Sequence, residues 1–217
     1  MFSGPPGTGK TMSAGVVAEL LGTTLLQVDL AAVVSKYIGE TEKNLNLVFD
    51  TAMQGQGVLF FDEADVLFSR RTQVNDSNDK HSNMEAAYLL QKMEEYEGVV
   101  ILATNYMQNI DEAFKRRIQF MIDFPFPDES GRRMLWEKAF PQQMEFDEIP
   151  DYDFLAKHFE LTGSHIRNIA LQAAFFAADG GKGVTMEYIV KALLWEMRKT
   201  GKRISREDLR EYYIYYE

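Results

Sequence analysis

The 217-residue sequence contains no cysteine, which rules out a disulfide framework and a cysteine-based zinc site and suits a reducing compartment. It also lacks any uncharged apolar run close to the roughly 18 to 20 residues that cross a bilayer. We therefore expect a soluble, cytoplasmic protein without a membrane span.

Basic residues are in the minority, since 23 Lys and Arg stand against 33 Asp and Glu and give a net charge of −10. A negative protein repels phosphate backbones, so nucleic acid is an unlikely bulk partner. A basic strip near the end could still contact one, although a solvated helix end and tail is the simpler interpretation. The strip contains Arg198, Lys199, Lys202, Arg203, Arg206 and Arg210.

The first part of the chain alternates apolar segments of strand character with amphipathic helical patterns, which predicts a parallel sheet flanked by helices. The predicted strands are Thr24–Val28, Val58–Phe61, Val99–Ala103 and Gln119–Asp123. Apolar residues at helical spacing lie between them, at Leu45, Val48, Phe49 and Ala52 and at Met84, Ala87, Tyr88 and Met93. The polar segment Gln73–Asn83 is expected to be a mobile loop.

After Phe124 the strand patterns nearly vanish and helical patterns take over. The predicted helices are Glu129–Phe140, Tyr152–Phe159, Ser164–Ala178 and Thr185–Lys199. In the third of these, Ser164 is placed to cap the start and Gly180-Gly181 to end the helix. The change of pattern predicts an α/β domain at 1–125 and a small helical domain at 126–217.

A glycine-rich segment near the start has the spacing of a phosphate-binding loop, Gly-x4-Gly-Lys-[Ser/Thr]. Average residue usage gives a chance match on the order of once in 30,000 positions, so coincidence is improbable. In such a loop backbone N–H groups face phosphate oxygens, Lys10 reaches the β- and γ-phosphates, and the Thr11 hydroxyl ligates Mg²⁺. The predicted ATP-binding residues are Gly4, Pro5, Pro6, Gly7, Thr8, Gly9, Lys10 and Thr11.

A second chemical segment, Val58–Asp65, is an apolar strand that ends in two carboxylates. Asp62 can hold Mg²⁺ through water, and Glu63 can orient and deprotonate an attacking water. Alone this pattern is weak, because many strands run into an acidic surface turn. Together with the phosphate loop it predicts ATP hydrolysis.

The phosphate loop begins only three residues into the chain, whereas a loop of this kind leaves a strand and enters a helix. We therefore expect a fragment of a longer polypeptide whose first strand is largely missing. A poorly held loop would bind nucleotide weakly.

These motifs resemble those of AAA+ ATPases, most closely the AAA-type remodelling enzymes such as katanin and spastin. The resemblance covers nearly the whole chain and implies an α/β large domain followed by a helical lid. GPPGTGKT and FFDEAD are similar to the Walker A and Walker B segments, and Ala103-Thr104-Asn105 is similar to sensor 1. By this resemblance Asn105 positions the hydrolytic water.

The segment Asp111–Ile118 resembles the arginine-finger segment of the katanin-like group, with Arg116 and Arg117 at the finger positions. Such fingers act on the site of a neighbouring protomer, where positive charge stabilises the transferring phosphoryl group. The resemblance therefore implies a homo-oligomeric ring, and specifically a hexamer. The simpler interpretation is a pair of solvated arginines at a helix end.

Two further positions enter by the same resemblance. Lys36-Tyr37-Ile38 is similar to the pore loop that grips polypeptide substrates, although Tyr37 packed against its own domain is the alternative. Arg167 falls where many AAA+ lids carry sensor 2, which contacts nucleotide. Katanin-like enzymes usually lack that arginine, so the clade is less certain than the family. His165, a lone histidine, is better explained as a structural residue.

The leading hypothesis is an ATP-driven motor that remodels or unfolds polypeptides. The main alternative is a DNA-handling AAA+ ATPase of the clamp-loader or initiator type. The acidic charge and the Lys36–Ile38 segment weigh against it. A nucleotide switch that does not hydrolyse ATP is a third class, and the presence of Glu63 and Asn105 weighs against it.

Overall fold

The computed structural model describes residues 1–33, 39–68 and 77–216. The chain divides into two compact units, Met1–Pro125 and Phe126–Glu217. Within the described residues, no helix has the length and the apolar character needed to cross a membrane. The two units are built differently, so each is described by itself.

The first unit contains a five-stranded sheet in the order β2-β3-β4-β1-β5, and all its strand pairs are parallel. This confirms the predicted fold class. Its interior strand β3 is an almost unbroken apolar run because both of its faces are covered. The strands are β1 Phe2–Ser3, β2 Leu25–Asp29, β3 Val58–Asp62, β4 Val100–Thr104 and β5 Ile122–Asp123.

The first strand has only two residues, yet it lies between two neighbours. Phe2 is in register with Ala103 of β4 on one side and with Ile122 of β5 on the other. The Met1 amine donates a hydrogen bond to the Phe120 carbonyl at 2.6 Å, and burial lowers the pKa of that amine. Ser3 therefore delivers the chain into the glycine-rich loop from within the sheet.

Helices of the first unit are α1 Lys10–Leu20, α2 Leu30–Val33, α3 Glu40–Gly55, α4 Asp65–Phe68, α5 Ser77–Glu95 and α6 Glu112–Lys115. The start of α5 corrects the loop predicted at Gln73–Asn83, because Ser77 to Asn83 are helical. Residues 73–76 lie outside the described part of the chain. A polar composition does not separate a loop from the solvated first turns of a helix, where Ser, Asn and Asp are favoured.

The second unit is helical, with α7 Glu129–Ala139, α8 Tyr152–His158, α9 Gly163–Gly180, α10 Met186–Lys199 and α11 Arg206–Leu209. The longer helices lie within one or two residues of their predicted bounds. They enclose a core of fully buried apolar side chains that includes Trp136, Leu155, Ile169, Val190 and Leu193.

The start of α9 differs from the prediction. Thr162 takes the N-cap position, and Ser164 is a residue of the first turn. The Thr162 hydroxyl lies 3.1 Å from the Ser164 hydroxyl and 3.0 Å from Nδ1 of His165. Two neighbouring hydroxyl residues made the cap ambiguous in the sequence. At the other end Gly181 closes the helix with φ of 61°, as the glycine pair predicts.

Candidate nucleotide-binding site

Three neighbouring strands end at one edge of the parallel sheet and deliver the predicted site there. β1 leads into the loop Gly4–Gly9, β3 ends at Asp62, and β4 ends one residue before Asn105. Ligands of open α/β sheets bind outside the carboxyl ends of the strands. The topology therefore gathers three sequence-distant motifs in one place.

The loop requires glycine at its first position for a steric reason. Gly4 has φ of 143°, and a Cβ built on it would lie 2.1 Å from the Phe124 carbonyl oxygen. The Gly4 N–H also donates to the Thr104 carbonyl at 3.3 Å, which ties the loop to the end of β4. A side chain here would push the loop away from the sheet.

The end of the loop leaves the start of α1 without a side-chain cap. Gly9 is the N-cap residue with φ of 104°, and it has no side chain to accept a hydrogen bond from the first turn. The first N–H groups of a helix have no partner within the helix, and together with the helix dipole they attract anions. The start of α1 is therefore suited to a phosphate group.

Lys10 joins the loop to the end of β4. Its Nζ donates to the carbonyls of Gly4 at 2.7 Å and Pro5 at 2.9 Å, and to Oδ1 of Asn105 at 2.9 Å. Lys10 is only 7% exposed. Burial lowers the pKa of Lys10, and the carboxylates of Asp62 and Asp65 partly oppose that shift. This amine is held in place by neutral acceptors and gains from an additional anionic partner.

The turn after β3 presents Glu63 in an uncommon backbone conformation. Its φ is 54°, which few residues other than glycine adopt, and its side chain is exposed. Oδ1 of Asp62 accepts a hydrogen bond from the Glu63 N–H at 2.9 Å, and the Ala64 N–H donates to the Ala103 carbonyl at 2.9 Å. Both sides of Glu63 are thus fixed to the sheet edge.

A second link between β3 and β4 was missed by sequence reasoning. The Thr104 hydroxyl donates to Oδ1 of Asp65 at 2.7 Å and accepts from the Tyr106 N–H at 3.0 Å. Thr104 is 1% exposed. The available signal was the position of each residue, because Thr104 precedes the predicted sensor residue Asn105 and Asp65 follows the predicted carboxylates.

The donor set fits ATP with Mg²⁺. The loop and the start of α1 offer N–H groups and a buried amine to phosphates, and Thr11 and Asp62 offer oxygen ligands. Among the described residues, no group of three or more His, Cys, Asp or Glu side chains could hold a metal by itself. Mg²⁺ commonly binds through one or two carboxylates plus substrate phosphates, so this donor set suits an ion that binds together with a nucleotide.

The two predicted arginine fingers are surface residues. Arg116 forms the C-terminal cap position of α6, and both arginines are exposed. Nη1 of Arg117 lies 3.3 Å from Oε1 of Glu94, and the Arg117 side chain is 54% exposed. An exposed pair of this kind is weakly held and leaves the guanidinium accessible to another molecule.

The remaining predicted residues are not gathered with this group. Arg167 is an exposed residue of α9 in the second unit. His165 contacts the Thr162 hydroxyl at the start of the same helix, which agrees with a structural role. Lys36, Tyr37 and Ile38 lie outside the described residues.

A glycine-rich loop between a parallel strand and a helix, beside an Asp-Glu strand end, defines a phosphate-loop nucleotide-binding protein. The family described as "ATPase family associated with various cellular activities (AAA)" matches residues 1–126, which is more than half of the chain. The chain belongs to this AAA family of ATPases. The resemblance seen in the sequence is thereby confirmed.

Individual relatives cover almost the whole chain. The sequence is 31% identical to the A1 form of the katanin p60 ATPase-containing protein of Strongylocentrotus purpuratus, over all of this chain and 47% of that protein. It is 32% identical to the A-like 1 form of the same katanin protein in Homo sapiens, over 98% of this chain and 48% of that protein. It is 28% identical to the proteasome-activating nucleotidase of Sulfurisphaera tokodaii, over 99% and 56% respectively. The chain thus spans about half the length of these curated relatives.

Proposed function

We propose that the protein is an ATP-dependent motor that remodels or unfolds polypeptides, and that it hydrolyses ATP to ADP and phosphate. The observation that carries the proposal is the Lys10–Asn105 hydrogen bond of 2.9 Å. It joins the phosphate loop to the predicted sensor residue at the sheet edge where Asp62 and Glu63 also lie.

In this proposal the N–H groups at the start of α1 and the Lys10 amine bind the β- and γ-phosphates. Thr11 and Asp62 hold Mg²⁺, which would neutralise charge on the phosphate oxygens. Asn105 orients a water, and Glu63 accepts its proton as the bond between the γ-phosphorus and the β–γ bridging oxygen breaks. The exposed position of Glu63 gives it access to such a water.

We also propose that each site is completed by a neighbouring protomer in a homo-oligomeric ring, specifically a hexamer. Arg116 and Arg117 then supply positive charge to the neighbour's γ-phosphate. Their exposure supports this role, because an arginine that acts on another protomer must reach the surface. Residues 1–125 would form the nucleotide-binding domain and 126–217 the lid, with Arg167 contacting nucleotide from the lid.

The proposed substrate is polypeptide, gripped by Lys36, Tyr37 and Ile38. The relatives include katanin p60 ATPase-containing proteins and a nucleotidase described as proteasome-activating. These names belong to the relatives, and they favour a protein-directed motor over the DNA-handling alternative. A cytoplasmic location remains a prediction from composition.

The deciding experiment measures phosphate release by the full-length protein alone, with an unfolded polypeptide and with duplex DNA. We expect stimulation by polypeptide, loss of that stimulation in Tyr37→Ala, and loss of turnover with retained ATP binding in Glu63→Gln. Stimulation by DNA alone would favour the clamp-loader or initiator class.

The shared site is tested with Arg117→Ala, which should bind ATP normally but lose turnover, by about 10³-fold or more if the arginine acts as a finger. Arg133→Ala is the matched control, because Arg133 is a similarly exposed arginine paired with Asp153 at 2.7 Å. Full activity of Arg117→Ala would exclude the shared site and leave the ATPase assignment standing.

A further inference from the structure

The buried Thr104 hydroxyl has a fixed hydrogen-bonding direction. The Tyr106 N–H can only donate, so the hydroxyl oxygen accepts there at 3.0 Å. Its own hydrogen is then directed to the Asp65 carboxylate at 2.7 Å, a distance typical of a charge-assisted bond. Serine is the other small side chain that can make both bonds, whereas valine has the same shape and can make neither.

These two bonds surround the proposed reacting groups. Asn105 lies between Thr104 and Tyr106, so the bond from the Tyr106 N–H fixes the backbone on both sides of Asn105. Glu63 lies two residues before Asp65, in a turn with φ of 54° that the backbone does not favour by itself. The bond between Asp65 and Thr104 therefore connects the two turns that present Glu63 and Asn105.

The same pair influences the phosphate loop. Asn105 accepts a hydrogen bond from Lys10, and the charge of Asp65 acts on Lys10 from nearby. The Thr104 carbonyl accepts from the Gly4 N–H. Loss of the hydroxyl would thus loosen the relation between the strand ends and leave the loop itself, which has further contacts, largely in place.

We propose that Thr104 and Asp65 are positioning residues that hold Glu63 and Asn105 in register with each other for hydrolysis. This inference rests on the proposed ATPase function and adds two residues to it. The pair acts through Glu63 and Asn105 and is not assigned any contact with ATP. Its expected signature is a loss of kcat with little change in KM, because the groups that bind the phosphates remain.

The test compares Thr104→Val, Thr104→Ser and wild type in the full-length protein. We expect Thr104→Val to lower kcat about 10- to 100-fold, the range that small misplacements of reacting groups produce, with KM within about twofold. Thr104→Ser should restore most of kcat. Rescue by serine separates positioning by the hydroxyl from a packing role of the γ-methyl group, which serine lacks.

Thr23→Val is the matched control. The Thr23 hydroxyl also bridges two turns, since it donates to the Gln56 carbonyl at 2.7 Å, but it lies where β2 and β3 begin, at the opposite edge of the sheet. Its loss should leave kcat unchanged. Asp65→Ala tests the bond from its other side and should lower kcat without adding to the effect of Thr104→Val in the double variant.

A second readout does not need catalysis. The Tyr106 amide should exchange with deuterated solvent at least about 10-fold faster in Thr104→Val than in wild type or Thr104→Ser, since it loses its acceptor. A wild-type protein without ATPase activity would contradict the proposed function, while faster exchange would still verify the bond. An active wild type with unchanged kcat in Thr104→Val, or unchanged Tyr106 exchange, would overturn the positioning role.

Discussion

Helices begin differently in the two units. In the first unit α1 and α3 start after Gly9 and Gly39, both with positive φ and neither with a side-chain cap. In the second unit most helices start with a side chain that accepts a hydrogen bond from the first turn; these N-caps are Asp128, Asp151, Thr185 and Ser205. A side-chain cap typically stabilises a helix by about 1 kcal/mol. The first unit forgoes this stabilisation at α1, where the free N–H groups suit a phosphate.

Buried charges show the same contrast. Burial lowers the pKa of Lys10, so its charged form is disfavoured within the first unit. For Glu196 in the second unit, burial alone would raise the pKa, but hydrogen bonds from Asn168 and Lys199 and the nearby His165 lower it overall. The folded protein thus favours the charged form of Glu196. One buried charge gains from an incoming ligand, whereas the other is already satisfied.

The largest effect should come from Gly4→Ala. The new Cβ would lie 2.1 Å from the Phe124 carbonyl oxygen, so the backbone has to move. The positive φ adds about 1–3 kcal/mol of strain, and we expect a total loss above about 3 kcal/mol in the free energy of unfolding, measured with urea.

The control for this substitution is Gly15→Ala in α1. A Cβ at Gly15 meets nothing within 4 Å, and alanine favours the helix by about 0.5–1 kcal/mol. The two glycines should therefore give opposite signs within one short segment. A tolerated Gly4→Ala would mean that the loop has other conformations of similar energy.

An intermediate effect is expected at Glu196, which is 4% exposed. Because its folded pKa is lowered, its contribution to stability is complete above the pKa of an unfolded glutamate and is lost as pH falls through the folded pKa. Glu196→Gln should lower the free energy of unfolding at pH 7 by about 1–2 kcal/mol and reduce the loss of stability in acid. Urea unfolding at a series of pH values measures both.

The matched control is Glu187→Gln on the same helix. Glu187 pairs with Lys191 at 2.9 Å, and both side chains are substantially exposed. An exposed pair of this spacing stabilises by about 0.3–0.5 kcal/mol, so its removal should be nearly silent. Equal effects of the two substitutions would contradict the contrast between a satisfied buried charge and a solvated one.

Sequence patterns predicted what depends on local order along the chain. Lys10, Asp62 and Asn105 could be assigned because each stands at a fixed place in a strand-turn or turn-helix pattern, and parallel strands bring such ends to one edge. The Thr104–Asp65 bond joins residues 39 positions apart, and its geometry depends on the turn at Glu63. No periodicity or spacing encodes that contact.

Helix starts show a similar limit. Thr162 and Ser164 are both good N-cap residues, and tertiary packing buries Thr162, which takes the N-cap position. The polar start of α5 has the composition of a loop, yet it continues the helix that begins at Ser77. The choice in each case depends on what surrounds the segment, which a single sequence does not state.

The smallest predicted effect has the opposite sign and lies at the centre of the proposed site. Glu63 adopts φ of 54°, a conformation that costs an L-residue about 1–2 kcal/mol and a glycine almost nothing. Glycine also gains about 0.5–1 kcal/mol of freedom in the unfolded chain, so Glu63→Gly should stabilise the protein by less than about 1 kcal/mol. Glu63→Gln keeps the strain and removes only the charge, and its free energy of unfolding should equal that of wild type within about 0.5 kcal/mol. Both variants should lose turnover, because neither retains the carboxylate. Stabilisation by glycine but not by glutamine would show that the first unit holds its proposed catalytic residue at a cost in stability. Destabilisation by glycine would show instead that the side chain of Glu63 helps to hold the turn.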